Sequence, residues 1–226
     1  MCGRFVLVSP FYVISELFCI KEEPQDLIPS YNITPGQPVY AVLRDERNDT
    51  NRLARFRWGL VPSWAKDPSV GNRMINARAE SVAEKPSFKK AFRDSRCLVV
   101  ADGFYEWQKT GRMRVPFFVR LKSGQPFGMA GLYETWVSPV GERLRTCTII
   151  TTHANHLLSP IHDRMPVIVP REKQPFWLDR SVRDREDILD ILKPFPPEEM
   201  EAYRVSGAVN SPLNDNHALI LPVPDS

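Results

Sequence analysis

At 226 residues, 42% of them hydrophobic, the chain has material for one large core or two small ones. Charged residues make up 25%, an ordinary value for a globular fold, and no apolar run approaches the length of a membrane-spanning helix. A net charge of +3 permits contact with a nucleic-acid backbone without arguing for it, because a basic patch must be local.

The N-terminus lacks the charged-then-apolar design of a signal peptide. Arg4 is followed only by Phe5-Val6-Leu7-Val8 before Ser9-Pro10. The 21 prolines are spread along the chain and favour many short elements. Ser9-Pro10 reads as a helix start, with Ser9 as cap and Phe11, Ile14, Leu17 and Phe18 at helical spacing. Residues 37–43 and 53–60 read as strands around a polar turn at 45–51. A short helix is expected over 86–93. Four β-branched or aromatic runs follow, at 97–101, 115–121, 127–133 and 146–152, separated by Gly, Pro and Asp. Next come a short helix near 154–158, a strand at 166–169, an amphipathic helix at 182–192, and closing strands at 202–205 and 218–222. The expected fold is a single α+β domain over residues 1–226. It is built on a curved, largely antiparallel and barrel-like β-sheet with short flanking helices.

None of the four cysteines, Cys2, Cys19, Cys97 and Cys147, forms a C-x-x-C pair, so neither a zinc site nor a disulfide framework is expected. Cys19, Cys97 and Cys147 lie in apolar stretches and read as core residues. A reducing cytoplasm is the expected compartment, close to the nucleoid if the source is bacterial. His153 and His156 form an H-x-x-H without a third ligand, so no metal is expected; nor is a cofactor. His217 reads as a surface residue.

Cys2 is set apart by its position. A start Met is trimmed most readily before a small side chain. Without Met1, Cys2 would carry a free α-amine and a free thiol on adjacent carbons. Such a pair condenses with an aldehyde, first as a Schiff base and then as a thiazolidine ring. The α-amine, with a reference pKa of roughly 7.7–8.0, is far readier for this than a lysine at roughly 10.4. Gly3 adds no side chain beside it.

Four segments combine polar, charged and aromatic groups with turn signals: Cys2-Gly3-Arg4-Phe5, Asn76-Ala77-Arg78-Ala79-Glu80, Ala101-Asp102-Gly103-Phe104-Tyr105-Glu106-Trp107 and Ile161-His162-Asp163-Arg164-Met165-Pro166. Together with Tyr31-Asn32-Ile33-Thr34-Pro35-Gly36 and Trp58-Gly59-Leu60-Val61-Pro62-Ser63-Trp64, they resemble, in order, the SRAP family of SOS-response-associated peptidases or abasic-site-processing proteins. The resemblance implies a protein that binds single-stranded DNA at an abasic site, and a monomer is expected. Cys2 would crosslink to the C1′ aldehyde of the opened sugar and shield the lesion during repair.

Glu106 is expected in a loop after a strand, as a proton-transfer carboxylate. His162, with a reference pKa near neutrality, would protonate the sugar ring oxygen or its leaving hydroxyl. By resemblance Asn76 lies beside Cys2. Arg78 and Arg164 match family arginines that hold phosphates, for which a forked guanidinium is suited, and Arg4 is a third candidate. An ion pair with Glu80 or Asp163 is the alternative for those arginines. Trp64 and Trp107 are candidates to stack on bases, worth about 1–3 kcal/mol per base, or else to pack in the core as expected for Trp58. Pro35, Thr151 and Asn210 fall in segments that align with the family's DNA groove. The Schiff base also acidifies the C2′ proton, so β-elimination is an expected side activity. Two other readings stand beside this one. One is a thiol peptidase with Cys2 as nucleophile and His162 as base, whose action on its own N-terminus would expose Cys2. The other is a non-covalent binder of single-stranded nucleic acid.

Overall fold

A computed structural model describes residues 2–22, 24, 27–45, 49–182 and 185–224. Removal of Met1, and the tip of the turn expected at 45–51, lie outside the described residues. In chain order the elements are β1 (Phe5–Leu7), α1 (Phe11–Phe18), β2 (Ser30–Ile33), β3 (Pro38–Asp45), β4 (Thr50–Trp58), β5 (Asn76–Arg78), α2 (Lys89–Asp94) and β6 (Arg96–Ala101). They continue with β7 (Gly103–Thr110), β8 (Met113–Leu121), β9 (Phe127–Val137), β10 (Arg143–His153), β11 (Arg164–Pro166), α3 (Gln174–Leu178), α4 (Arg185–Asp190) and β12 (Met200–Arg204).

Five strands close on themselves in the order β10-β4-β3-β6-β9, and β9 returns to β10 over seven residue pairs from Val137–Arg143 to Gly131–Ile149. The β10–β4 contact is parallel and the other four are antiparallel. Closure of this kind removes the free edges of the sheet. β5 and β11 are short additions to the far end of β10. Every residue of β6 is buried, which explains its unbroken run Cys97-Leu98-Val99-Val100-Ala101: the strand is covered on both faces. Trp177 of α3 lies over it and donates its indole N–H to the Cys97 carbonyl at 2.8 Å. The buried guanidinium of Arg96 donates to the carbonyls of Phe92, Arg93, Trp177 and Val182, tying the segments that carry α2 and α3 to the barrel.

The second sheet has the order β12-β8-β7-β1-β2. Asp102 is the joint between the two sheets. Its carboxylate accepts the N–H groups of Val8 (2.5 Å) and Ser9 (2.8 Å) and the Ser9 hydroxyl (2.5 Å). Ser9 is therefore spent on Asp102 and does not cap α1, whose N-cap is Pro10 without a side-chain bond. Side chains alternate along β7. Phe104 packs in the main core with Cys2 and Phe5, whereas Tyr105 packs in a smaller cluster with Val6, Phe118, Val205, Val209 and Leu219. That smaller cluster is closed by the chain beyond β12.

Several expectations are corrected. Glu106 lies within β7, not in a loop. Residues 154–158 form no helix, with turns over 156–161, so His153 and His156 share none. Residues 217–220 form a 3₁₀ turn where a strand was expected, although Val205 and Pro222 make an isolated bridge. Cys19 is exposed at the end of α1 in a left-handed conformation (φ 54°), while Cys97 and Cys147 are buried. Local hydrophobicity fails in these cases because chain reversal and distant strand pairing decide the outcome.

At Gly103, the first residue of β7, a Cβ would lie 2.3 Å from the Phe118 ring and 2.7 Å from the Val119 carbonyl oxygen. Gly103→Ala is expected to destabilise the fold by about 1–3 kcal/mol, the usual cost of overpacking. Chemical denaturation reads this directly, and an unchanged midpoint would show that β7 yields without cost.

Candidate functional site

The antiparallel register of β1 on β7 pairs Phe5 with Phe104 and Val6 with Gly103. Tyr105 N–H donates to the Arg4 carbonyl at 2.9 Å, so the chain ahead of β1 continues along β7 toward Glu106. Cys2 is thus carried into the main core and is fully buried. From the other side, β5 enters in parallel register with Ile149–Thr151 of β10. Its first residue, Asn76, donates from Nδ2 to the Cys2 carbonyl at 2.8 Å. Asn76 Oδ1 is buried and has no hydrogen-bond partner among the described residues. Segments some seventy to a hundred positions apart in the chain therefore meet at Cys2.

Glu106 is 2% exposed. Burial, above all, raises its carboxyl to about 7, against a partial offset from the Trp107 N–H, and the charge of Asp163 adds to the rise. The Cys2 thiol is pushed well above its ordinary range, first by burial and then by the nearby Glu106 charge, while the Arg4 N–H works the other way. Cys2 is accordingly a neutral thiol beside a carboxyl group poised between its two forms.

His162 sits in the turn between β10 and β11, 29% exposed at the side chain. Its Nδ1 accepts the Arg164 N–H at 3.0 Å and also lies 2.9 Å from an Asp163 carboxylate oxygen. One nitrogen cannot accept from the amide and donate to the carboxylate at once. In the neutral ring the amide holds Nδ1, and the ring proton sits on Nε2. Burial lowers the His162 pKa, which favours that form.

The expected DNA contacts fall into two groups. Arg78 is exposed, and its side chain makes no hydrogen bond or ion pair among the described residues. Two residues along β5 from Asn76, it projects from the same face roughly 7 Å away. Trp64 is 64% exposed, and Pro35 and Asn210 are exposed. Trp107 is half-buried and donates its indole N–H to Asn210 Oδ1 at 2.7 Å. Other candidates are committed inside the protein. Thr151 is fully buried. Arg164 is buried and forms a forked pair with Glu80, at 2.6 and 3.0 Å. Arg4 is half-buried, donates to Asn32 Oδ1 and to the Val209 carbonyl, both at 2.7 Å, and lies over the Trp107 ring. Trp58 packs in the core as expected, its ring 5.1 Å from that of Phe5.

Of three residues with organising contacts, Asn32 and Asp102 were not singled out from the sequence, and Glu80 was named only as an ion-pair alternative. Asn32, 2% exposed, donates to the carbonyls of Ser211 and Asn214 and so ties the chain beyond β12 to β2. Glu80 and Asp102 are the others. All three lie inside the quoted motifs, which was the available signal.

A residue-lined site centred on an N-terminal cysteine, set between a closed barrel and a second sheet, is the arrangement to compare with known proteins. The family model described as SOS response associated peptidase (SRAP) matches residues 1–212, and the chain belongs to this family. Abasic site processing protein YoqW of Bacillus subtilis is 47% identical over 97% of this chain and 99% of its own length. Abasic site processing protein HMCES of Rattus norvegicus is 32% identical over 88% of this chain and 67% of its own. The crystal structure of a protein from Bacteroides thetaiotaomicron superposes with a TM-score of 0.89, at 26% identity, covering 99% of this chain and all of that one.

The Glu106 environment makes a prediction about stability. The folded carboxyl keeps its proton up to about 7, whereas an unfolded one releases it near its ordinary value of roughly 4.3. Between these points the folded state binds more protons, so the contribution of Glu106 to stability falls as pH rises. Glu106→Gln stays neutral throughout. The variant is expected to gain on the parent between pH 5 and pH 8, reaching roughly 2–3 kcal/mol in chemical denaturation. A gap that does not change with pH would mean that Glu106 is not desolvated.

Proposed function

We propose that this protein processes abasic sites in single-stranded DNA by covalent capture through Cys2 after residue 1 has been removed. The observation that carries the reading is the convergence of Asn76, Glu106 and Cys2, with the exposed Arg78 on the same strand as Asn76. The names of the relatives, which describe abasic site processing, point the same way.

The chemistry balances without a cofactor. The Cys2 amine adds to the C1′ aldehyde of the ring-opened sugar, and the adduct loses one water to give a Schiff base. The sulfur then adds to the imine carbon, and the thiol proton passes to nitrogen, closing the thiazolidine. Burial keeps the thiol protonated, so the amine acts first and the sulfur second. Glu106, near 7, is matched to taking a proton from the ammonium and returning one as water leaves. Asn76 Oδ1, buried and without a hydrogen-bond partner among the described residues, would accept an N–H of that amine. His162 presents Nε2–H as a donor to the sugar oxygen. The same Schiff base acidifies C2′ and opens a route to β-elimination. In this reading Arg78 holds a backbone phosphate, and Trp64 and Trp107 offer faces to bases, which only an unpaired strand exposes.

Two readings compete. A thiol peptidase requires a thiolate, and the buried, neutral Cys2 weighs against one. A purely non-covalent binder leaves the assembly around Cys2 without a purpose.

Protein mixed with single-stranded DNA carrying one abasic site is expected to give a shifted band that survives denaturation, and Cys2→Ala is expected to give none. Equal crosslinking by the variant would overturn the mechanism. Arg78→Ala is expected to weaken non-covalent binding across sequences and to reduce the salt slope by about 0.7, one phosphate contact on a single strand. An unchanged slope in a salt titration would remove Arg78 from the DNA path.

A further inference from the structure

We infer that Glu80 is a positioning residue for His162, acting through Arg164. The inference rests on the proposed capture reaction and adds a residue to it.

The loop between β10 and β11 is closed at its base by the register pair His153–Arg164, and it carries His162 two residues before Arg164. Ala154 N–H donates to the Asp163 carbonyl at 3.0 Å across the same base. Glu80 follows β5 and reaches this base from outside the loop. One of its carboxylate oxygens meets Arg164 at 2.6 Å and His153 Nε2 at 3.1 Å; the other meets Arg164 at 3.0 Å. The Arg164 guanidinium donates further to the Thr151 carbonyl at 2.5 Å. Arg164 is thus bonded to two neighbours, β10 and the chain following β5.

Arg164 also holds the His162 ring, through its backbone N–H on Nδ1. The connection runs Glu80 carboxylate, Arg164 side chain, Arg164 amide, His162 imidazole, with a hydrogen bond at each non-covalent step. It sets both the orientation of the ring and its tautomer, with the ring proton on Nε2. Arg164 is 8% exposed at its side chain, so without Glu80 it would be a buried cation whose forked partner had gone. Its guanidinium would move toward water, and the amide that holds Nδ1 would move with it.

The test is single-turnover crosslinking to abasic single-stranded DNA at increasing DNA concentration. For Glu80→Gln the rate at saturating DNA is expected to fall about tenfold, with the half-saturating concentration within twofold of the parent. In a His162→Ala background, adding Glu80→Gln is expected to cost nothing more. Multiplied losses in the double variant would overturn the inference, because Glu80 would then act independently of His162. A raised half-saturating concentration with an unchanged maximal rate would also overturn it, placing Glu80 and Arg164 in DNA binding. If Glu80→Gln does not fold, Glu80→Asp keeps the charge opposite Arg164 and is subject to the same comparison. Failure of the parent itself to crosslink would sink the capture reaction, whereas a crosslinking parent matched by Glu80→Gln would sink only this inference.

Discussion

The structure depends most on how an N-terminal stretch of a few residues is kept inside the protein. Cys2 has no strand of its own, and β1 starts only at Phe5. Its carbonyl is held by Asn76, and the next peptides run against β7. At its other end β1 is secured by Asp102, which accepts three hydrogen bonds from Val8 and Ser9. Chain termini are ordinarily the least ordered part of a domain unless something ties them down. Here the ties come from β5 and β7, so the barrel and the second sheet must both be formed before the site exists.

Electrostatics follow from this burial. A carboxyl group removed from water keeps its proton longer, and a thiol does the same. Glu106 and Cys2 lie together, and the Glu106 charge adds to the cost of ionising the thiol. Near pH 7 the thiol therefore starts neutral beside a carboxyl between its two forms, which suits the proposed sequence of amine attack followed by ring closure. Arg78, by contrast, is exposed to water, where the proposed phosphate contact would form. The separation between a buried neutral centre and an exposed cation is made by two positions on a single three-residue strand, Asn76 and Arg78.

Much of the architecture was legible in the sequence. The strand runs at 97–101 and 115–121 and the α1 pattern reappear almost unchanged in the structure. The curved, barrel-like sheet was likewise expected. β1, β2 and β5 were not, because strands of three or four residues carry no usable periodicity and exist only through their partners. β7 was missed for another reason: Gly103 and Glu106 read as loop residues, yet the glycine is needed where the Phe118 ring crosses, and the carboxyl faces the core. Among site residues, the motifs pointed to the right segments and left side-chain direction open. Thr151 and Arg164 read as groove residues but lie inside, and the Glu80 pairing, weighed only as an alternative, is the one that is formed. Facing direction depends on register with β10, which no local pattern encodes.

Intact-mass measurement of the purified protein, before and after incubation with abasic single-stranded DNA, addresses the central claim most directly. The account predicts a starting mass without residue 1, then a product heavier by the oligonucleotide less one water. A protein that retains residue 1, or one whose mass stays the same after incubation, would contradict it.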